Sequence, residues 1–102
     1  MDKDEAVKLT MRYADLIKDH FNLKKVFLFG SYAKNSQRKF SDIDVAVVID
    51  KIDSLLDSEF LLHKLVRDVD LRIEPVLFDE DYDPSGFLEE IYRTGILVYQ
   101  KN

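Results

Sequence analysis

The chain has 102 residues, 46% hydrophobic and 34% charged, which bounds it to one domain (1–102) able to bury a core with little stability to spare. It contains no cysteine, so disulfides and thiolate metal sites are excluded, and its net charge of −5 argues against general binding to nucleic acid. No apolar run reaches the ~18–20 residues of a membrane span, and Met1-Asp2-Lys3-Asp4-Glu5 is too acidic for a signal peptide. No membrane attachment and a cytoplasmic setting are therefore expected.

Residues 4–21 read as a helix, with Val7, Met11, Ala14, Ile17 and Phe21 at helical spacing and Leu9, Tyr13 and Leu16 broadening the stripe. Lys25 to Phe29 is a short apolar run ending at Gly30 and reads as a buried strand. Residues 31–41 are polar and read as a loop or short helical turn. The basic side chains Lys24, Lys25, Lys34, Arg38 and Lys39 gather around it in sequence, a local attraction for a small polyphosphate or simply a solvated loop. The charge is uneven overall: nine Lys/Arg against five Asp/Glu in residues 1–39, six against fifteen in residues 40–102.

Ile43 to Ile49 is β-branched and apolar apart from Asp44, a second strand. Asp53 or Ser54 can cap a helix over roughly 54–68, with Leu55, Leu62, Leu65 and Val66 facing the core. Residues 70–78 read as a third strand, Leu71, Ile73 and Leu77 on one face, Asp70, Arg72 and Glu74 on the other. Pro75 cannot donate a ladder hydrogen bond, which places it at a bulge or a free edge. The acidic run Asp79-Glu80-Asp81-Tyr82-Asp83 is read as a solvated loop that caps a last helix, 84–94, with Asp83 as N-cap, Pro84 at N1 and Gly95 just past its end. Pro84 stands where a calcium loop would need glycine. Ile96 to Tyr99 is a terminal strand. The expected fold is α/β (α+β): a mixed sheet of about four strands flanked by helices.

Asp42 and Asp44 are two apart at a strand entrance, so the two-residue period of a strand places both carboxylates on one face. Two like charges this close are costly unless a cation lies between them, and hard oxygen ligands favour Mg²⁺. Asp44 also interrupts an otherwise apolar strand, which costs folding energy and points to function. Gly30-Ser31 directly follows the first strand, where glycine permits a tight turn and close approach of backbone N–H groups to phosphate oxygens. Either piece alone is weak; their joint spacing on successive strands is the signal. His20 and His63 stand isolated on amphipathic helices, and Phe27, Phe29 and Phe40 are read as core.

Gly30-Ser31-Tyr32-Ala33-Lys34-Asn35-Ser36 with Ser41-Asp42-Ile43-Asp44-Val45 resembles the signature of the DNA polymerase β-like nucleotidyltransferases, Gly-Ser, ten residues, then Asp-x-Asp. The whole chain is similar to the minimal nucleotidyltransferases of bacteria and archaea; the match is specific over residues 26–49 and looser over 70–99. It departs from the pattern at Asn35, where many members have glycine, and Asn tolerates the left-handed turn. The resemblance implies a two-ion Mg²⁺ site on Asp42, Asp44 and a third strand carboxylate. Glu74, mid-strand, is the preferred third acid and Asp70, near the strand start, the alternative. It implies a nucleoside triphosphate, ATP most of all, bound through Gly30, Ser31, Lys34 and Ser41, and transfer of a nucleoside monophosphate. It further implies a small helical partner of the HEPN type, with this chain as the antitoxin of a toxin–antitoxin pair. Two competing readings are a non-catalytic antitoxin acting by contact, and an aminoglycoside-type enzyme, which would need an acceptor domain.

Overall fold

A computed structural model describes residues 1–102. The element order is α1 (Lys3–Ile17), β1 (Leu23–Phe29), α2 (Gly30–Ala33), β2 (Ile43–Ile49), α3 (Leu55–Val66), β3 (Ile73–Asp79), α4 (Phe87–Thr94) and β4 (Ile96–Gln100). The four strands form one mixed sheet in the order β3-β2-β1-β4. β1 runs antiparallel to both β2 and β4, while β2 and β3 are parallel, joined through α3. No helix is long and apolar enough to cross a membrane.

Alternation along β2 divides the sheet into two unlike faces. Ile43, Val45, Val47 and Ile49 turn toward α1 and α3 and join a cluster of 17 buried residues that includes Ala6, Tyr13, Ile17, Leu62 and Leu65. Ala46 and Val48 turn the other way and meet α4 through Leu88 and Ile91, with Phe27, in a cluster of only 5. The buried Tyr13 hydroxyl donates to the Leu62 carbonyl at 2.8 Å, tying α1 to α3, and burial pushes its phenol pKa up.

Several element ends differ from the expectation. α1 is capped by Asp2, whose carboxylate accepts the Glu5 N–H at 2.9 Å, and it stops at Ile17 rather than 21. The chain must turn there to reach β1, and Asn22 is already fixed to the end of β2 through Asp50. Its buried face is Ala6, Thr10, Tyr13, Ala14 and Ile17, one step around from the expected stripe, so Met11 stands exposed. Ser54 caps α3, and Leu55, expected inside, lies outside. β3 starts at Ile73; Leu71 is exposed in the preceding turn, where Asp70 grips Arg72. Pro75 needs no bulge, because β3 is an edge strand in unbroken register with β2. α4 begins at Phe87, three residues late, because Gly86 turns the chain at φ +75°. Asp83 still caps it from a distance, accepting the N–H groups of Leu88 and Glu89 at 3.1 Å each. Gly95 is extended rather than left-handed; a side chain there would press on the carbonyls of Ile91 and Leu28.

Candidate active site

The site is assembled where the end of β1, the start of β2 and the start of β3 lie side by side. Asp44 is opposite Phe29 of β1 on one side and opposite Glu74 of β3 on the other. Adjacent strands are ~4.8 Å apart, and residues in register share a face. Asp44 and Glu74 therefore project together onto the α4 face, at the end that α4 leaves open. Asp42, two residues before Asp44, stands exposed at the mouth of the same face.

Asp44 carries the electrostatic mark of this arrangement. Its pKa is raised above the ordinary carboxylate value, first by burial, then by the charges of Asp42 and of Glu74. None of these three acids forms an ion pair with a lysine or arginine. Asp70 is situated differently: Arg72 donates to both its carboxylate oxygens at 2.9 and 2.6 Å and holds its pKa down. Its charge is answered locally, whereas those of Asp42, Asp44 and Glu74 are not.

Such a set of hard, unpaired oxygen donors fits a divalent cation such as Mg²⁺. The compact three-ligand cluster expected from the sequence is nevertheless not formed as the side chains stand. Asp42 and Glu74 are exposed and free to rotate, and three like charges repel one another.

Gly30 is pressed against this group. Its φ is +71°, and a Cβ built on it would collide with the Asp44 carboxylate oxygen Oδ2. Both facts demand glycine: the backbone conformation and the space. From Gly30 the chain makes the single turn α2, which brings Ser31 to the rim. The loop then closes on itself. The N–H and hydroxyl of Ser36 both donate to the Ser31 carbonyl, at 2.9 and 3.4 Å, and Asn35 takes the left-handed φ of 57°. Asn35 thus supplies the left-handed turn of this loop, a conformation its short polar side chain tolerates.

Ser41 ends the loop beside Asp42. Its hydroxyl accepts the Arg38 N–H at 2.8 Å and keeps its own hydrogen to donate. Lys34 is exposed on the loop, with Arg38 and Lys39. The basic cluster seen in sequence is split in space. Lys24 and Lys25 sit at the far end of β1, six and five residues or roughly 16–20 Å from Gly30, and Lys25 rests on the Tyr92 ring at 4.5 Å. Phe40, expected in the core, is 87% exposed beside Lys39.

The sequence reading missed the aromatic wall next to the acids. Phe87 of α4 packs edge-on against Phe29 and Phe78, at 5.7 and 5.6 Å between ring centres. Phe78 shares its strand face with Glu74, a parity visible in the sequence. The contribution of Phe87, from the far side of the acidic loop, was not visible there.

The family described as polymerase beta, nucleotidyltransferase matches residues 12–102. A protein of Methanocaldococcus jannaschii assigned as a protein adenylyltransferase is 28% identical over 82 residues, covering 78% of this chain and 82% of its own. The protein adenylyltransferase MntA of Thermococcus cleftensis is 27% identical over 82 residues, 80% of this chain and 81% of its own. Among solved structures, a protein of Sulfolobus solfataricus assigned as a nucleotidyltransferase superposes with a TM-score of 0.71 at 22% identity, over 97% of this chain and 84% of the other. A toxin–antitoxin complex crystallised with AMP-PNP contains a chain that superposes with a TM-score of 0.66 at 21% identity, over 100% of this chain and 76% of that one. At these identities the structural likeness is one of fold.

Proposed function

The chain belongs to the polymerase beta nucleotidyltransferase family, and we propose that it transfers AMP from ATP to a hydroxyl of a small helical protein partner in the cytoplasm, acting as the antitoxin of a HEPN-type toxin. The observation that carries this reading is the juxtaposition of Asp42, Asp44 and Glu74 on one sheet face with Gly30 pressed against Asp44. The relatives named as protein adenylyltransferases support the choice of adenylate and of a protein acceptor.

In this reading Asp42, Asp44 and Glu74 would hold Mg²⁺, which when bound would supply neutralising charge for the triphosphate. Gly30 lets the chain approach the outer phosphates without a side chain in the way, while Ser31 and Ser41 donate their hydroxyl hydrogens to phosphate oxygens. Lys34 adds positive charge from the loop. The acceptor oxygen attacks the α-phosphorus; its bond to phosphorus forms as the bond to the β-phosphate bridging oxygen breaks, and pyrophosphate leaves. Glu74, the most exposed of the two strand-borne acids that face each other, takes up the hydroxyl proton. Asp70, bound to Arg72, serves the turn before β3.

The test is to incubate the protein with labelled ATP, Mg²⁺ and the protein encoded beside it, and to measure the intact mass of that partner. The expected result is a gain of one AMP, abolished by Asp42→Asn combined with Asp44→Asn. Neutralisation of the partner by that double variant as effective as by the wild type would instead mark an antitoxin that acts by contact.

A further inference from the structure

α3 buries Leu62, Leu65 and Val66 against the sheet, yet it is also apolar on its outer side. Three of the ten exposed large apolar side chains of the protein stand on this one helix: Leu55, Leu56 (82% exposed) and Phe60 (71% exposed). A surface helix normally turns one apolar stripe to its own core and a polar face to water. A second apolar strip needs another neighbour. Leu56 and Phe60 line a shallow groove along the helix, together with Glu59, His63, Lys64 and Arg67.

The charges in this groove change sign along the helix. Glu59 lies toward its N-terminal end, 3.5 Å from His63 one turn on, and Lys64 and Arg67 lie toward its C-terminal end. Such a strip is complementary to its own antiparallel copy, and the opposed helix dipoles favour the same arrangement. We propose that the chain forms a two-fold dimer through α3. An axis passing between Leu61 and Leu62 places Glu59 opposite the partner's Lys64. It sets Phe60 on the partner's His63, and Leu56 along the aliphatic stem of the partner's Arg67. A purely acidic partner would set a like charge against Glu59, whereas a second copy sets Lys64 against it, so a second copy is the better occupant.

The position of α3 permits this dimer without cost to the carboxylates. α3 packs on the face of the sheet opposite Asp44, so both copies keep their acids open to nucleotide and acceptor. The contact is one face of a 12-residue helix, about 18 Å long, a narrow strip beside the ~800 Å² per partner of a standard interface. The association is accordingly weak, with a dissociation constant on the order of 10–100 μM. The inference does not depend on the reaction assigned above.

The experiment is sedimentation of the purified chain from about 5 μM to about 1 mM at low salt, a span bracketing that constant. A reversible monomer–dimer equilibrium is expected. Phe60→Asp, at an exposed position that folding does not need, should stay monomeric throughout, its fold checked by circular dichroism. Glu59→Lys and Lys64→Glu should each weaken the dimer at least about tenfold by placing like charges opposite one another. Mixing these two variants should restore association, because each then meets its opposite. A wild-type chain that is monomeric at the highest concentration overturns the proposal. So does a dimer indifferent to Phe60→Asp, or a mixture no tighter than either variant alone. A monomer whose Phe60→Asp form loses a different protein partner assigns the strip to that partner and also overturns it.

Discussion

On one face of the sheet, Ile43, Val45, Val47 and Ile49 close against α1 and α3 in a cluster of 17 buried residues; on the other, Ala46 and Val48 share 5 buried residues with α4, and the next position, Asp44, is only partly covered. These residues alternate along a single strand. The difference shows how a small domain can separate its tasks: one face is closed over a core, and the other leaves charged side chains open to solvent. Substitutions on the two faces should therefore fail in different ways.

The largest effect is expected on the open face. Asp42→Asn with Asp44→Asn should lower AMP transfer at least about a thousandfold, equivalent to ~4 kcal/mol of transition-state stabilisation. Glu74→Gln should do nearly the same, while Asp70→Asn, which breaks only the ion pair with Arg72, should leave transfer close to wild type. Steady-state transfer assays on the four acids decide this. An Asp70→Asn enzyme as inactive as Glu74→Gln would reverse the roles assigned to them.

The converse belongs to the closed face. Leu62 is fully buried between α1 and the sheet. Leu62→Ala should cost about 3 kcal/mol through lost burial and the cavity left behind. Measured by urea unfolding, that is a large part of the stability of a domain this size. The turnover of the fraction that remains folded should be unchanged. Reduced turnover in fully folded Leu62→Ala would mean that the two faces are coupled and that the division of labour is too simple.

Gly30 and Gly86 sharpen the contrast, because they share a backbone conformation and differ in surroundings. Both have positive φ, +71° and +75°, but a Cβ on Gly30 meets the Asp44 carboxylate whereas one on Gly86 meets nothing within 4 Å. Gly86→Ala should cost only the left-handed strain, roughly 1 kcal/mol. Gly30→Ala should cost about 2 kcal/mol, adding the displaced carboxylate to that strain, and should also lose most of the transfer activity. Equal activity in the two variants would show that the close approach at Gly30 has no catalytic meaning.

Much of this site could be read from residue order, because its parts are local. Gly30 ends a strand and Asp42 and Asp44 share a strand entrance, which needs only the period of a strand; parity leaves Asp70 and Glu74 level, and the register of β3 with β2 is what sets Glu74 beside Asp44. The features that were misread depend on three-dimensional context. The lysines at 24 and 25 are sequence neighbours of Gly30, but an extended strand carries them roughly 16–20 Å away. Leu71 has the right parity for the core, yet the Asp70–Arg72 clasp keeps it in a turn. The sequence puts the start of the last helix at Pro84 with Asp83 as an adjacent cap; the helix starts at Phe87, and Asp83 caps it from across Gly86. Phe87 reaches Phe29 and Phe78 only through the tertiary fold, for which no periodicity gives a signal.

The smallest predicted effect tests the comparison from the side of stability. Burial, then the charges of Asp42 and Glu74, raise the folded-state pKa of Asp44 above its unfolded value. The folded state then binds the proton more readily, and above the raised pKa the charged carboxylate opposes folding. Asp44→Asn removes that charge and should stabilise the metal-free protein at pH 7 by about 0.5 kcal/mol, kept small by solvent screening. In a domain of this size that corresponds to roughly 2–4 °C in Tm. As the pH falls through the raised pKa, the wild type is relieved of the same charge, so the advantage of the variant should shrink and vanish below the unfolded value. Thermal melts of both proteins across this range measure the difference. A less stable Asp44→Asn protein at pH 7 would mean that the carboxylate supports the fold. Function and stability would then not be separated by strand alternation at the one position where the separation matters most.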